Sequence, residues 1–333
     1  MGRKCVSLPE TGGIFYAISR QHFNRFVVPK GYTFFKFVAM HKWLLVLSLL
    51  AVTGCEKAIE FRLNESAPIL SVDGTIETDV SPVVILSTSL NYFSGITADT
   101  IAAALVRDAE VTVFEGNRSE RLERVDIPLP GNRSFSFYTS NPSAVPNPIV
   151  GEEGKSYRLQ IKWRGKTYEA TTTIPQLDKR MDSIWWVKAP NTPDTSTRVV
   201  VKGTVTDPPR FGNYIRYFTR VNSGLFLPGF NSVFDDQLIN GATYEVDIDR
   251  GVDRNAPFER EEYGFFRRGD TVTIKFSNID KATYDFWRTV EFSYQSIGNP
   301  FGAPPKIIGN ISNGALGYFG GYSNQFKSLI IPR

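Results

Sequence analysis

Ser156-Tyr157-Arg158-Leu159-Gln160-Ile161-Lys162-Trp163-Arg164-Gly165-Lys166-Thr167-Tyr168-Glu169-Ala170-Thr171-Thr172-Thr173-Ile174 is the stretch on which the fold turns. Tyr157, Leu159, Ile161 and Trp163 alternate with polar neighbours. After Gly165-Lys166 the run Tyr168, Ala170, Thr172, Ile174 repeats the alternation. Successive strand side chains point to opposite faces, so a period of two collects the apolar set on one face. Two such runs across a glycine turn read as a β-hairpin with one buried face.

The same period extends outward. Leu70, Val72, Gly74 and Ile76 share one face, with Ser71, Asp73, Thr75 and Glu77 on the other. Similar runs occur at 109–114 and 134–138. The fold class is therefore mainly all-β, opening with an immunoglobulin-like β-sandwich over residues 68–176. Gly154-x-x-Tyr157-x-Leu159 is placed like the tyrosine that ties down a corner in such sandwiches. Pro175 to Arg180 interrupts the pattern and marks a candidate boundary. A second antiparallel β domain is expected over 181–333, with strands at 183–188, 199–206, 214–221, 243–248 and 271–277 and in the segment 314–332. It carries one helix near 281–297, where Phe286, Val290, Tyr294 and Ile297 recur at helical spacing. Asp280 can cap that helix and Pro300 stops it.

Ahead of this lies a different kind of sequence. Met40 followed by His41-Lys42, the apolar run Trp43 to Val52 and Thr53-Gly54-Cys55 has the form of a lipoprotein signal peptide, 40–54. The apolar run is too short for a permanent membrane span. Cys55 is the expected lipidation site, and an acylated cysteine with more than one chain anchors stably. Residues 55–67 then form a lipidated tether. Residues 1–39 read as an over-extended start without order.

This division changes the composition. The chain holds 38 Lys+Arg, 34 Asp+Glu, 2 His and 2 Cys. Residues 1–54 contain seven of the bases, one acid, both histidines (His22, His41) and Cys5. Removing them leaves 38 less 7, or 31 bases, and 34 less 1, or 33 acids, a net charge of −2. The mature chain gives no electrostatic support for nucleic-acid binding. Without histidine it has no Ser-His-Asp or Cys-His nucleophile system and no His/Cys zinc site. With one cysteine it has no disulfide, so about 279 residues must hold together by burial.

In the second half, Asp207-Pro208, Gly212-Asn213-Tyr214-Ile215-Arg216 and Asp235-Asp236-Gln237-Leu238-Ile239-Asn240-Gly241 form an ordered pattern. It continues through Gly269-Asp270-Thr271-Val272, Asp280-x-Ala282-Thr283-Tyr284-Asp285-Phe286-Trp287, Asn299-Pro300-Phe301 and Gly309-Asn310-Ile311-x-Asn313-Gly314-Ala315-Leu316-Gly317-Tyr318-Phe319. With Cys55-Glu56 and Leu70-Ser71-Val72-Asp73-Gly74, the chain resembles a Bacteroidota outer-membrane lipoprotein family catalogued as a domain of unknown function (number forty-two forty-nine). The resemblance implies an outer-membrane lipoprotein that accompanies a TonB-dependent receptor. It carries over no activity and no site residues. Glu56 followed by Lys57 is a partial surface-export signal, so the periplasmic or cell-surface side stays open.

Several groups invite chemistry. Asp247, Asp249 and Asp253 surround Gly251 and are weak candidates for a calcium site, since hard cations take oxygen ligands. Asp235-Asp236 and Glu261-Glu262 would serve a hydrolase only if two acids met at a defined separation. Leu225, Phe226, Leu227 and Phe230, in an apolar 224–234 connection, and Trp186 are the candidate contacts for a partner or ligand, as aromatics favour interfaces. Asp99-Thr100-Ile101, in an apparent loop, fits a short O-glycosylation pattern.

The leading expectation is a non-enzymatic accessory or ligand-binding partner of a TonB-dependent receptor in nutrient uptake, needing no cofactor. It is held to the outer membrane by lipid, takes a small-molecule or glycan ligand, and binds no nucleic acid. The alternatives are a structural or adhesive cell-envelope module and, third, a carboxylate-based hydrolase.

Overall fold

The computed structural model describes residues 68–90, 96–254, 256, 260–296 and 305–333. The leader, Cys55, the tether, Ile297, Pro300 and Phe301 lie outside the described residues. Glu65–Arg333 form one compact unit. Strands dominate it. The first half comprises β1 (Leu70–Glu77), β2 (Val83–Thr88), α1 (Ala98–Ala104), β3 (Glu110–Glu115), β4 (Arg118–Leu129), β5 (Arg133–Thr139), β6 (Ser156–Trp163) and β7 (Lys166–Thr173). The second comprises β8 (Arg180–Lys188), β9 (Arg198–Thr206), β10 (Tyr214–Val221), β11 (Leu227–Phe234), β12 (Thr243–Ile248), β13 (Phe266–Arg267), β14 (Thr271–Ile279), α2 (Lys281–Ser296) and β15 (Leu316–Ile330).

The deciding hairpin forms as the alternation predicts. β6 and β7 pair from Ser156↔Thr173 to Trp163↔Lys166. Arg164 (φ 48) and Gly165 (φ 73) make the two-residue turn, the positive-φ geometry that matches strand twist. Tyr157, Leu159, Ile161, Trp163, Tyr168 and Ala170 are all buried in the first core.

That core is a sandwich made by one strand that changes sheets. The first part of β4 pairs β3, ending at Val111↔Leu122; its second part pairs β5 from Glu123↔Thr139 to Leu129↔Arg133. The layers are thus β1-β2-β5-β4 and β4-β3-β6-β7, the strand arrangement of an immunoglobulin-like sandwich. Tyr157 sits at the start of β6 and donates its hydroxyl to Val150 O (3.1 Å), while Glu152 N donates to that hydroxyl (2.8 Å). The corner tie is present.

The halves keep separate cores but share a sheet. The boundary expected at 175–180 falls between β7 and β8. Of the first cluster's buried residues only Phe319 comes from beyond Ile174. Yet β15 returns to pair β1 in parallel, from Ser71↔Leu316 to Glu77↔Tyr322, and β14 from Thr271↔Ile330 to Ile279↔Tyr322. The large sheet therefore runs β11-β10-β14-β15-β1-β2 and on into the sandwich. A small sheet, with β8 on one edge of β9 and β12 then β13 on the other, covers one face of β10 and β14 through Val199, Val201, Ile248, Phe266, Val272 and Ile274. Helix α2 covers the opposite face through Tyr284, Phe286 and Trp287 against Tyr318 and Tyr322.

Asp280 starts α2 as expected: Thr283 N donates to its Oδ1 (2.8 Å). Of the expected helix face, Phe286 is buried and Val290 packs on the third cluster, but Tyr294 is exposed. Two expectations are corrected. Asp99-Thr100-Ile101 lies in α1, where Thr100 and Thr97 cap each other reciprocally. The 224–234 connection is not a loop throughout, because Leu227–Phe234 forms β11 on β10.

Candidate functional site

β1 fixes the site because it alternates. With Leu70, Val72 and Ile76 buried in the sandwich core, the odd positions Asp73, Thr75 and Glu77 must face the other way. That face opens into a cleft of about 540 Å³ beneath α2. Its floor adds Arg216, Phe218, Lys275, Tyr318 and Tyr322; its walls are Trp287 and Tyr294 from α2, and the segments Phe226–Pro228 and Val252–Arg254. Three acids (Asp73, Glu77, Asp253) and three bases (Arg216, Arg254, Lys275) therefore line one aromatic-walled concavity.

The charges are organised in layers. Lys275 Nζ donates to both Glu77 oxygens, at 2.7 and 2.6 Å, and Asn324 Nδ2 adds a third bond at 2.7 Å. The Arg216 guanidinium stacks 3.4 Å from the Trp287 ring centroid and 4.6 Å from that of Phe218. Its Nε donates to Ser232 Oγ (3.2 Å). Ser232 N in turn donates to Glu291 Oε2 (3.0 Å), and Arg254 stands 3.7 Å from Glu291. Stacked and bonded on its stem side, Arg216 is rigid before any ligand arrives, which lowers the entropy cost of using it.

Asp73 differs from Glu77. It keeps solvent contact while protein crowds it on the cleft floor. That crowding pushes its carboxyl pKa above the usual value, against the opposing effects of Arg216 and the Tyr318 hydroxyl. Burial also pushes the Tyr318 and Tyr322 phenols up, so both stay neutral. Their hydroxyls lie 3.1 Å apart, and Trp287 Nε1 donates to Tyr322 Oη (3.0 Å). The arrangement offers fixed donors, acceptors and ring edges to a small polar ligand, the usual make-up of a binding cleft.

A second cleft of about 1190 Å³ follows β11 between the small sheet and α2. Val233, Tyr217, Phe276 and Ile248 line its interior, and Leu238 (97% exposed) and Phe292 (60%) stand at its mouth. Tyr284 donates to Asp235 Oδ2 there (2.8 Å), and burial with that carboxylate pushes its phenol up to about 12.

The sequence candidates divide between these places. Phe226 and Leu227 line the charged cleft, where Phe226 packs against Phe326 at 5.9 Å. Leu225 stands exposed just beyond it (80%). Phe230 packs on Tyr263 instead, and Trp186 rests half-buried on the second core beneath Arg268. The calcium set is not assembled: Asp247 and Asp249 line the larger cleft and Asp253 the smaller. Asp247 pairs with Lys202 (2.8 Å), Asp249 accepts from Tyr263 Oη (2.8 Å), and no group of three metal-ligating side chains forms among the described residues. The adjacent acids are likewise dispersed. Asp236 is buried, which would raise its pKa, but amide donors from Asn213 and Gly212 outweigh this and hold it low. Glu262 is held low chiefly by Arg198.

Sequence reasoning missed Arg216, Lys275, Tyr318 and Tyr322. Of the cleft's lining the sequence had marked Phe226 and Leu227 as contact candidates and Asp253 as a metal candidate, while Asp73 and Glu77 were placed only on the polar face of β1. The residues that carried the resemblance mostly hold turns together. Asn213 N donates to Asp236 Oδ2 (2.9 Å), Gly241 N to Asp207 Oδ2 (3.0 Å), and Asn310 exchanges two bonds with the Phe319 backbone. No curated protein matches the chain. The match to a family does not stop at those turns but takes in both halves, and over residues 56–328 it shows that the chain belongs to the family described as a domain of unknown function (DUF4249).

Proposed function

We propose that the protein is a lipid-anchored, non-enzymatic outer-membrane protein that binds a small polar ligand and works beside a TonB-dependent receptor in nutrient uptake. The anchor rests on Val52-Thr53-Gly54-Cys55, and the receptor on the company implied by the Bacteroidota lipoprotein resemblance. The observation that carries the binding role is the charged cleft. Its three acids and three bases balance, so it suits a ligand bearing both charges or many hydroxyls rather than a simple anion. Against a paired-carboxylate hydrolysis, the Glu77 carboxylate is already held by Lys275 on both oxygens and by Asn324, charge-assisted bonds that commit it to the protein.

Purification of the full chain from solubilised outer membrane tests the reading, with protein partners and released small molecules both analysed by mass spectrometry. The expected result is a β-barrel receptor together with a bound polar compound that Arg216→Ala loses. Recovery of a ligand-free monomer under mild detergent would count against both parts.

A further inference from the structure

Exposed apolar side chains occur in several places, among them Leu225, Phe326 and Ile330 at the far end of β15 and one group at the opposite end. At the end of the sandwich where the chain enters β1 stand Ile69 (41% exposed), Leu90 (40%), Ile96 (78%) and Ile101 (51%). Strand pairing places them together. Leu70 pairs Thr88, Ser89 N donates to Ile69 O (2.8 Å), and Thr88 Oγ1 donates to Ala104 O at the end of α1 (3.4 Å). Leu316 (50% exposed) pairs Ser71 at this same end.

The tip of the β4–β5 hairpin reaches it too. β5 runs antiparallel to β2 from Val83↔Thr139, so its other terminus, Arg133, lies toward Thr88. Arg133 Nη1 is 3.5 Å from Asp99 of α1. One face of this hairpin carries a polar cluster, where Asp126 bonds Ser136 and Arg107 donates to Ser136 (3.0 Å). The opposite face must then carry Val125, Ile127 and Leu129 outward beside Phe135 and Phe137. Those three are 38%, 47% and 44% exposed. A folded protein seldom leaves so large an apolar group in water without a use for it.

The chain itself indicates what lies opposite. Twelve residues, 56–67, separate Cys55 from the first described residue. Twelve residues span at most about 40 Å. A lipid on Cys55 keeps this end of the sandwich within about 40 Å of the bilayer, near enough for weak apolar contacts to form as if intramolecular. The second half is staggered the other way. Leu316 of β15 pairs Ser71 while Leu329 pairs Val272, and thirteen strand residues measure about 43 Å. Leu225, following Asn222 whose amide donates to Thr271 O (2.8 Å), marks that distal end.

We infer that the end of the sandwich formed by Ile69, Leu90, Ile96, Ile101, Leu316 and the β4–β5 hairpin rests on the lipid surface, so that the protein stands upright and carries the charged cleft outward. This rests on the lipid-anchor reading, and the test separates the two.

The mature chain has no cysteine besides Cys55. Ile96→Cys, Leu129→Cys and Leu225→Cys in the full lipidated protein therefore each accept one fluorescent label. The labelled proteins are reconstituted in vesicles of phosphatidylethanolamine and phosphatidylglycerol containing a spin-labelled lipid. The expected result is strong quenching at positions 96 and 129 and little at 225. Equal quenching at all three, or none, overturns the inference. Shielding of 96 and 129 from aqueous iodide without quenching by the spin-labelled lipid also overturns it, since a second copy or the tether then covers the patch. Failure to float with vesicles instead condemns the anchor, leaving the orientation without its premise and so withdrawn.

Discussion

Lys179 Nζ lies 2.8 Å from Asp207 Oδ1, with the two side chains 1% and 0% exposed. The approach is oblique, a close ion contact rather than an aligned hydrogen bond. It joins the connector between β7 and β8 to the turn after β9. The connector's backbone is fixed as well: Lys179 N donates to Asn278 Oδ1 (3.1 Å) and Asn278 Nδ2 donates to Lys179 O (2.8 Å). The expected domain boundary is thus pinned into the second half by a buried charge pair.

Removing one partner of that pair strands the other in a dry site. Asp207→Asn is expected to cost about 3–5 kcal/mol, read as a lower midpoint in urea unfolding. Lys179→Met with Asp207→Leu should cost less than either single change, because no charge is left unpaired. Burial pushes the Lys179 pKa down, but Asp207 and Tyr244 outweigh it, so the folded value is raised. Its stabilisation is therefore complete below the ordinary lysine value of about 10.4 and is lost as pH rises through the folded one. A single-charge variant as stable as the parent would refute this role.

Gly317 sits where the backbones of the two halves pass too close for a Cβ. Its φ is 95, and an added Cβ would fall 1.8 Å from Val72 O, in the partner strand of the parallel β1–β15 pair. Neither strand can retreat without opening the ladder. Gly317→Ala is expected to lose upwards of about 3 kcal/mol, combining strain with a backbone clash. Circular dichroism during thermal unfolding measures it, and an unchanged transition would show that the junction yields.

Asp280 serves two elements at once. Oδ1 caps α2 through Thr283 N, and Oδ2 accepts from Thr172 Oγ1 (2.7 Å) and Thr173 N (3.2 Å) of β7. Asp280→Ala should cost about 1 kcal/mol for the cap and about another 1 for the strand bonds. Asp280→Asn retains the cap but presents an amide to Thr173 N–H, so it should recover roughly half. Full recovery by asparagine would mean that the tie to β7 contributes nothing.

In the cleft, Asp73 is expected to trade stability for binding. Its folded pKa is raised, so the folded state gains stability as pH falls through that value toward the ordinary 3.9 or so. At neutral pH the charge is a burden, though a small one because the group keeps solvent contact. Asp73→Asn should therefore raise the unfolding midpoint at pH 7, lose that advantage in acid and, under the proposed binding role, abolish retention of a polar ligand. A variant that is less stable at pH 7 and still holds the ligand would contradict both statements.

Legibility in the sequence followed the physics of each element. The β6–β7 hairpin and β1 were readable because one face is buried and the other wet. β4 was not: from Glu123 to Leu129 every residue is exposed, so no core imposes a period on it. α1 was missed because it is seven residues long and buries nothing. The 224–234 segment reads as a loop because Pro228 and Gly229 obscure an edge strand. For the site, the apolar character of 224–234 pointed to Phe226 and Leu227, and the period of β1 put Asp73 and Glu77 on its polar face without marking them as a site. Arg216, Lys275 and Tyr318 come from three other strands, and no local spacing relates them.

The sequence by itself determined the strand periodicity, the capped helix after Asp280, the histidine-free chemistry beyond Cys55 and the family pattern. These are local properties, each set by neighbours within a few residues. Tertiary structure alone decided that β15 returns to lie beside β1. That pairing bridges about 245 positions of chain, from Ser71 to Leu316, and depends on a glycine at 317 that lets two backbones touch. It merges two separate cores into one sheet and brings acids and bases from distant segments to a single cleft floor, a juxtaposition no one-dimensional pattern encodes.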